Sequence, residues 1–73
     1  MMLHTRLGAQ VVFDLDGKRH TMQLVHKLDP LRLDQMTADS PVGQVLATAA
    51  QDVPTAAETP GGPVQVTVLE IHG

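Results

Sequence analysis

Four histidines are the residues of this chain that could bind a metal ion, and their spacing argues against it. His20 and His26 share one face of a predicted strand but lie about 20 Å apart at ~3.3 Å per residue, which is too far for joint coordination. The chain has no cysteine and no His-x-His pair that could complete a site. We therefore expect all four, including His4 and His72, to be surface or strand-edge residues, with no metal or other cofactor bound.

Ser40 is the only serine and so the first candidate for a nucleophile. It lacks the Gly-x-Ser-x-Gly elbow that exposes a catalytic serine, and the sequence identifies no base beside it. Asp14 and Asp16 are the other candidates, as a pair of carboxylates, but they stand beside Gly17, where aspartates form turns. We expect no catalytic residue and no enzymatic activity.

The charge of the chain limits the partners that it can bind. Its 73 residues contain 5 Lys and Arg against 8 Asp and Glu, a net charge of −3, and no basic cluster larger than Lys18-Arg19. Direct nucleic-acid binding and adhesion to an anionic membrane are therefore disfavoured. No apolar run is long enough to span a membrane and no secretory signal is evident, so we expect a cytoplasmic protein.

A hairpin is the clearest element of the predicted fold. Ala9–Leu15 and Lys18–Leu28 alternate apolar and polar residues, and Asp16-Gly17 between them is a strong turn signal. Asp29-Pro30 ends the second strand because proline cannot donate to a ladder. A short third strand is predicted within Gln35–Ala38.

A single helix is predicted to follow. Ser40 suits the N-cap and Pro41 suits the first helical position, where no amide hydrogen bond is lost. Val42, Val45, Leu46 and Ala49 then form one apolar stripe. The pattern predicts a helix from about Pro41 to Gln51.

The last third of the chain contains a weak strand signal, a turn and a closing strand. The segment 53–58 is a poor strand because it contains Pro54, and 59–63 is a turn. Val64–Ile71 is a strand whose apolar side changes at Leu69, which predicts either a bulge or burial of both faces. We predict an α+β fold, in which a four- to five-stranded antiparallel twisted sheet packs on one short helix (about 41–51). The whole chain, 1–73, forms one domain, with residues 1–8 as a lead-in prone to fraying.

Two segments carry a resemblance to a known family. Thr37-Ala38-Asp39-Ser40-Pro41-Val42-Gly43 stands before the predicted helix, and Val68-Leu69-Glu70-Ile71 closes the chain after a Pro-Gly-Gly turn. In this order and at this separation, the segments resemble the C-terminal domain of the bacterial Gre transcript-cleavage factors and the related regulator Rnk. The resemblance spans Ala9 to about His72. It implies an FKBP-like fold and docking to RNA polymerase, on the coiled coil that rims the secondary channel.

The resemblance also implies which residues dock. The loop that faces the polymerase in the family corresponds to a partner-binding set here: Asp39, Ser40, Pro41, Val42 and Gly43. Gre factors stimulate transcript cleavage with acidic residues at the tip of an N-terminal helical hairpin, and only eight residues precede Ala9 here. We expect a stand-alone interaction domain that binds polymerase and modulates transcription without stimulating cleavage.

The sequence alone also allows a second function. The weak strand around Pro54 and the terminal strand would leave an edge of the sheet free to pair with another chain. The alternative is therefore a self-associating scaffold or adaptor, a homodimer through that edge, which does not bind polymerase.

Overall fold

The computed structural model describes residues 7–72. It contains five strands and one helix: β1 (Gln10–Leu15), β2 (Lys18–Val25), β3 (Gln35–Thr37), α1 (Pro41–Thr48), β4 (Thr55–Thr59) and β5 (Gly62–His72). The strands form one sheet in the order β3-β2-β1-β5-β4. Most of the predicted lead-in, residues 1–6, lies outside the described residues. Its last two residues form a turn in which the Gly8 amide donates to the Leu24 carbonyl at 2.6 Å.

The first hairpin forms as predicted, with Leu15 paired to Lys18 around the two-residue turn. Asp16 and Gly17 both adopt positive φ, 49° and 91°, as a tight turn between strands requires. The Asp14 carboxylate accepts a hydrogen bond from the Gly17 amide at 2.7 Å, and the Asp16 carboxylate accepts one from the Gln65 amide at 2.8 Å. The Asp14 carboxylate therefore stabilises the turn from within, and the Asp16 carboxylate ties the turn to β5.

The sheet is mixed, whereas the sequence predicted an antiparallel one. The β1–β2, β1–β5 and β4–β5 pairs are antiparallel, but β2 and β3 run parallel, with Leu24 opposite Met36. The β2–β3 pair is parallel because of the connection between the two strands. β2 ends at Val25, short of the predicted Leu28, and residues 26–34 carry the chain back to the level of Gln23 before β3 starts. The α+β class itself is confirmed.

The core lies between the sheet and α1. Its largest fully buried side chains are Phe13, Leu24, Leu46, Val11, Val66 and Val68. The predicted bulge occurs in β5. Val12 pairs with Glu70 and Phe13 pairs with Val68, so Leu69 is the extra residue.

The second hairpin places β4 at an edge of the sheet. Thr59 pairs with Gly62 around the Pro60-Gly61 turn, and the Thr59 hydroxyl donates to the Gly62 carbonyl at 2.6 Å. Pro54 precedes the first residue of β4, a position where it removes no ladder hydrogen bond. Within residues 7–72, no helix is long and apolar enough to cross a membrane.

Candidate functional site

The candidate site is the corner where the chain leaves β3 and enters α1. Ser40 is the N-cap, with extended backbone (φ −72°, ψ 158°). Its hydroxyl oxygen accepts a hydrogen bond from the Gly43 amide at 3.0 Å, and the hydroxyl donates to the Thr37 carbonyl at 2.7 Å. One side chain thus ties the first turn of the helix to the end of β3. Pro41 follows at the first helical position, as predicted.

Gly43 occupies a position with no room for a side chain. A Cβ placed there would overlap the Thr37 carbonyl oxygen and lie 2.7 Å from the Ser40 hydroxyl oxygen and 2.9 Å from the Thr37 carbonyl carbon. The glycine therefore allows the helix to approach the backbone of its own sheet. Its cost in helix propensity, about 1 kcal/mol relative to alanine, is offset by this close packing.

The five residues predicted to bind a partner differ in exposure. Asp39 and Pro41 are exposed, Ser40 and Val42 are half-buried, and Gly43 is buried. A partner would therefore contact mainly Asp39 and Pro41, while the other three residues hold the corner in shape. Their role in binding stays a prediction.

The end of the helix differs from the prediction of Gln51. α1 ends at Thr48, because Ala49 has extended backbone (ψ 149°) while its amide still donates to the Val45 carbonyl at 2.8 Å. The segment that follows is held by β5 instead. The Asp52 amide donates to the Val68 carbonyl at 2.7 Å and the Gln51 side-chain amide donates to the Leu69 carbonyl at 2.9 Å.

An open groove of about 370 Å³ continues from the corner between α1 and β4. Its lining residues are Asp39, Pro41, Gln44, Val45, Thr48, Ala56, Ala57 and Glu58. Sequence reasoning identified only the residues at the N-terminal end of this groove. The β4 wall could not be found from the sequence because its position follows from the pairing of β4 with β5.

Comparison with solved structures identifies the fold. The structure matches Thermus aquaticus Gfh1 with a TM-score of 0.74 and 25% identity over 96% of this chain and 48% of that one. It matches GreA factor homolog 1 (Gfh1) of Thermus thermophilus with a TM-score of 0.71 and 25% identity over 97% of this chain and 49% of that one. The fold is that of a Gre-factor C-terminal domain.

A third match agrees in fold with the two Gfh1 structures. The GreA/GreB transcription elongation factor of Nitrosomonas europaea has a TM-score of 0.64 and 22% identity, over 92% of this chain and 59% of that one. The chain thus spans about half the length of the Gfh1 structures that it resembles. No family model and no curated protein matches the chain. The resemblance predicted from the sequence is confirmed, and the chain has the fold of the C-terminal domain of Gre-family factors.

Within residues 7–72, His20 and His72 lie on strands away from the corner, and the exposed His26 follows Val25, which pairs with Thr37. The ring of His20 stacks on Phe13 with centroids 5.6 Å apart, and His72 lies 3.6 Å from the Glu70 carboxylate on an exposed strand end. His4 lies outside the described residues. Among residues 7–72 no three His, Asp or Glu side chains come together as metal ligands would.

A leucine-bearing loop is the exposed apolar feature that sequence reasoning did not single out. In the β2–β3 connection, Leu31 and Leu33 are 91% and 95% exposed. The Asp29 carboxylate accepts from the Leu31 amide at 2.9 Å. Arg32 forms two hydrogen bonds with the Asp34 carboxylate, at 2.9 and 3.0 Å, which lower the pKa of Asp34 from its ordinary value. The loop therefore has a defined shape held by its own polar groups.

Proposed function

We propose that this Gre-type domain binds bacterial RNA polymerase at the rim of the secondary channel and modulates transcription without stimulating transcript cleavage. The observation that supports it most is that Asp39 and Pro41 are exposed on a corner that the Ser40 hydroxyl holds in shape. The chain that carries this corner matches Gfh1 over 96% of its own residues. The resemblance supports polymerase as the partner, and the exposure of Asp39 and Pro41 supports this corner as the contact surface.

The corner has the rigidity that a docking surface needs. The Ser40 hydroxyl joins Thr37 to Gly43, so Asp39 and Pro41 are presented on a backbone that is already ordered. A surface that is preorganised loses little conformational entropy on binding. Asp39 adds a negative charge, and the net charge of −3 favours approach to a basic patch on a partner.

Cleavage stimulation requires a different kind of structure. Transcript cleavage needs carboxylates delivered to the metal of the polymerase. Residues 7–72 form a body of 33 × 29 × 19 Å whose one helix has 8 residues, so this part of the chain offers no long acidic extension. We propose that the domain acts by occupying the rim, where it competes with factors that insert into the channel, and not as an enzyme.

A pull-down from bacterial extract tests the proposal. The tagged chain should recover polymerase, and the double variant Asp39→Ala, Pro41→Ala should recover much less, because it removes the exposed carboxylate and ring while leaving the Ser40 cap. Glu70→Ala is the matched control, since it removes an exposed carboxylate on β5. Absence of polymerase, or equal recovery with the double variant, would remove the support for the proposal.

Self-association through a sheet edge is the alternative function. β4 is an edge strand, but Pro54 and Pro60 stand on either side of it. Prolines beside a short edge limit the pairing of further strands. Sedimentation equilibrium separates the two proposals: polymerase docking predicts a monomer, and a tight dimer that hides the Ser40 corner would favour the scaffold.

A further inference from the structure

We propose that the outer edge of β4 binds a short extended segment of a partner protein as an added antiparallel strand. One aliphatic side chain of that segment would lie in the groove between β4 and α1. The contact runs through the backbone of β4, so it goes beyond the proposed function, which concerns the exposed side chains of the corner.

The register of β5 fixes which of its residues bond to β4. The Asp16 amide donates to the Gln65 carbonyl at 3.0 Å, and the Gln65 amide donates to the Asp16 carboxylate at 2.8 Å, so Gln65 faces the β1 side. Backbone groups alternate in direction along a strand, so Pro63 also faces that side, where its missing amide hydrogen breaks no bond to β4. Val64 and Val66 therefore face β4.

The same alternation leaves backbone groups of β4 unpaired at the outer edge of the sheet. The two valines pair with Ala57 and Thr55, which direct their amides and carbonyls toward β5. Ala56 and Glu58 direct theirs the other way, and β4 is the last strand of the sheet on that side. Within residues 7–72, no side chain and no loop backbone group bonds to them. The amide and carbonyl of each residue form the hydrogen-bonding pattern that an added strand satisfies.

The groove lies beside this edge, on the face of the sheet that α1 covers. Ala57 is only 3% exposed and belongs to the core, whereas Ala56 and Glu58 are exposed on the other face. Directly opposed residues of a ladder place their side chains on the same face. The residue opposite Ala57 would therefore direct its side chain into the groove of about 370 Å³.

The surface of the groove favours an aliphatic side chain. Pro41 and Val45 supply apolar surface on the helix wall. The polar groups of that wall are already bonded: the Thr48 hydroxyl donates to the Gln44 carbonyl at 2.7 Å, and the Gln44 side-chain amide donates to the Asp39 carbonyl at 3.4 Å. An aliphatic group placed there buries apolar surface and leaves these bonds intact.

The length of β4 favours a short segment of a larger partner over a second copy of the chain. Pro54 and Pro60 stand directly before and after the strand, so pairing is confined to its five residues. Five residues span about 17 Å, and an added strand lies about 5 Å away. A strip of this size falls far short of the ~600 Å² per partner that a small stable interface buries.

The opposite edge of the sheet is less suited to strand addition. β3 has only three residues. The Ala38 amide donates to the Val25 carbonyl, so the neighbouring Thr37 faces outward, but its carbonyl already accepts the Ser40 hydroxyl at 2.7 Å. β3 therefore serves as an internal control for binding at β4.

Nuclear magnetic resonance titration of the full chain tests the inference. The probe is acetyl-Thr-Thr-Leu-Thr-Thr-amide, whose threonines favour extended backbone and whose leucine would lie opposite Ala57. It should shift the amide signals of Ala56 and Glu58 most, shift Val45 as well, and leave Gln35–Thr37 unchanged. Replacing the leucine by alanine should weaken binding about fivefold, because less apolar surface is buried in the groove.

N-methylated peptides test the backbone contact directly. Methylating the second and fourth amides removes the two donors that face β4 and should weaken binding about tenfold, whereas methylating the leucine amide, which points away, should not. On the protein side, Ala56→Pro removes an outward amide hydrogen and no bond to β5, so it should weaken peptide binding several-fold. The N-methylated peptides decide the question on the unaltered chain if this variant does not fold.

No shifts, equal binding of the two N-methylated peptides, or shifts that map to β3 would overturn the inference. A dimer in sedimentation equilibrium, with Ala56 and Glu58 signals that depend on protein concentration, would overturn it by assigning the edge to a second copy. If the chain recovers polymerase but does not bind the peptide, the inference fails and the proposed function stands. If the peptide binds and polymerase is not recovered, strand addition stands and the polymerase proposal fails.

Discussion

Replacing Gly43 with alanine tests whether the corner depends on close backbone packing. Helix propensity alone predicts that Gly43→Ala stabilises the domain by about 1 kcal/mol, because glycine is a poor helix former. The structure predicts the opposite. The new Cβ would overlap the Thr37 carbonyl oxygen, a backbone atom that cannot move without shifting the end of β3, and would lie 2.7 Å from the Ser40 hydroxyl oxygen.

The magnitude follows from two costs and one gain. Overpacking costs about 1–3 kcal/mol, and disturbing the Ser40 cap costs about 1 kcal/mol more. After the gain in propensity, the net loss should be about 2 kcal/mol, or roughly 8–16 °C in Tm for a domain of this size.

Thermal and urea unfolding, followed by circular dichroism, provide the assay. Gly61→Ala is the matched control, because the nearest atom to its Cβ would be the Thr59 hydroxyl oxygen at 3.9 Å, an ordinary contact. We expect this control to stay within about 0.5 kcal/mol of the parent chain. A Gly43→Ala variant as stable as the parent chain, or more stable, would refute the packing argument.

Three further predictions concern single side chains. Ser40→Ala should lower the free energy of unfolding by about 1 kcal/mol in urea titrations, and Ser40→Thr should restore part of it because the hydroxyl is kept; equal loss in both variants would contradict the capping role. Asp52 has φ 64°, so Asp52→Gly should raise stability by about 0.5 kcal/mol, and a lower Tm would contradict this. The hydrogen bonds from Arg32 lower the pKa of Asp34. The stability that this pair adds is therefore fully present above the unfolded-state pKa of Asp34, and it is lost as the pH falls through the folded-state pKa. Arg32→Ala should raise the pKa of Asp34 in an NMR pH titration, and an unchanged pKa would refute the pairing.

Local sequence signals predicted the elements that depend on local chemistry. The Asp16-Gly17 pair predicted the turn, and Ser40-Pro41 predicted the start of the helix. The change of apolar side at Leu69 indicated the bulge that β5 contains. Each of these features depends on conformational preferences or periodicity within a few residues, which a sequence displays directly.

Features that depend on tertiary pairing were not predictable in the same way. The direction of β3 depends on where residues 26–34 return to the sheet, and its three residues carry no signal of direction. The helix ends early because residues 51–52 bond to β5, a contact made across the fold. For the same reason the sequence showed the Asp39 end of the groove but not its β4 wall.

Site-specific photo-crosslinking to purified bacterial RNA polymerase is the most direct measurement of the central claim. The photoreactive residue p-benzoylphenylalanine would replace Asp39 in one sample and Glu70 in the other. The proposal predicts that crosslinks from position 39 fall on the coiled coil at the secondary-channel rim and that position 70 gives few. No crosslinks from position 39, or the same pattern from both positions, would contradict it.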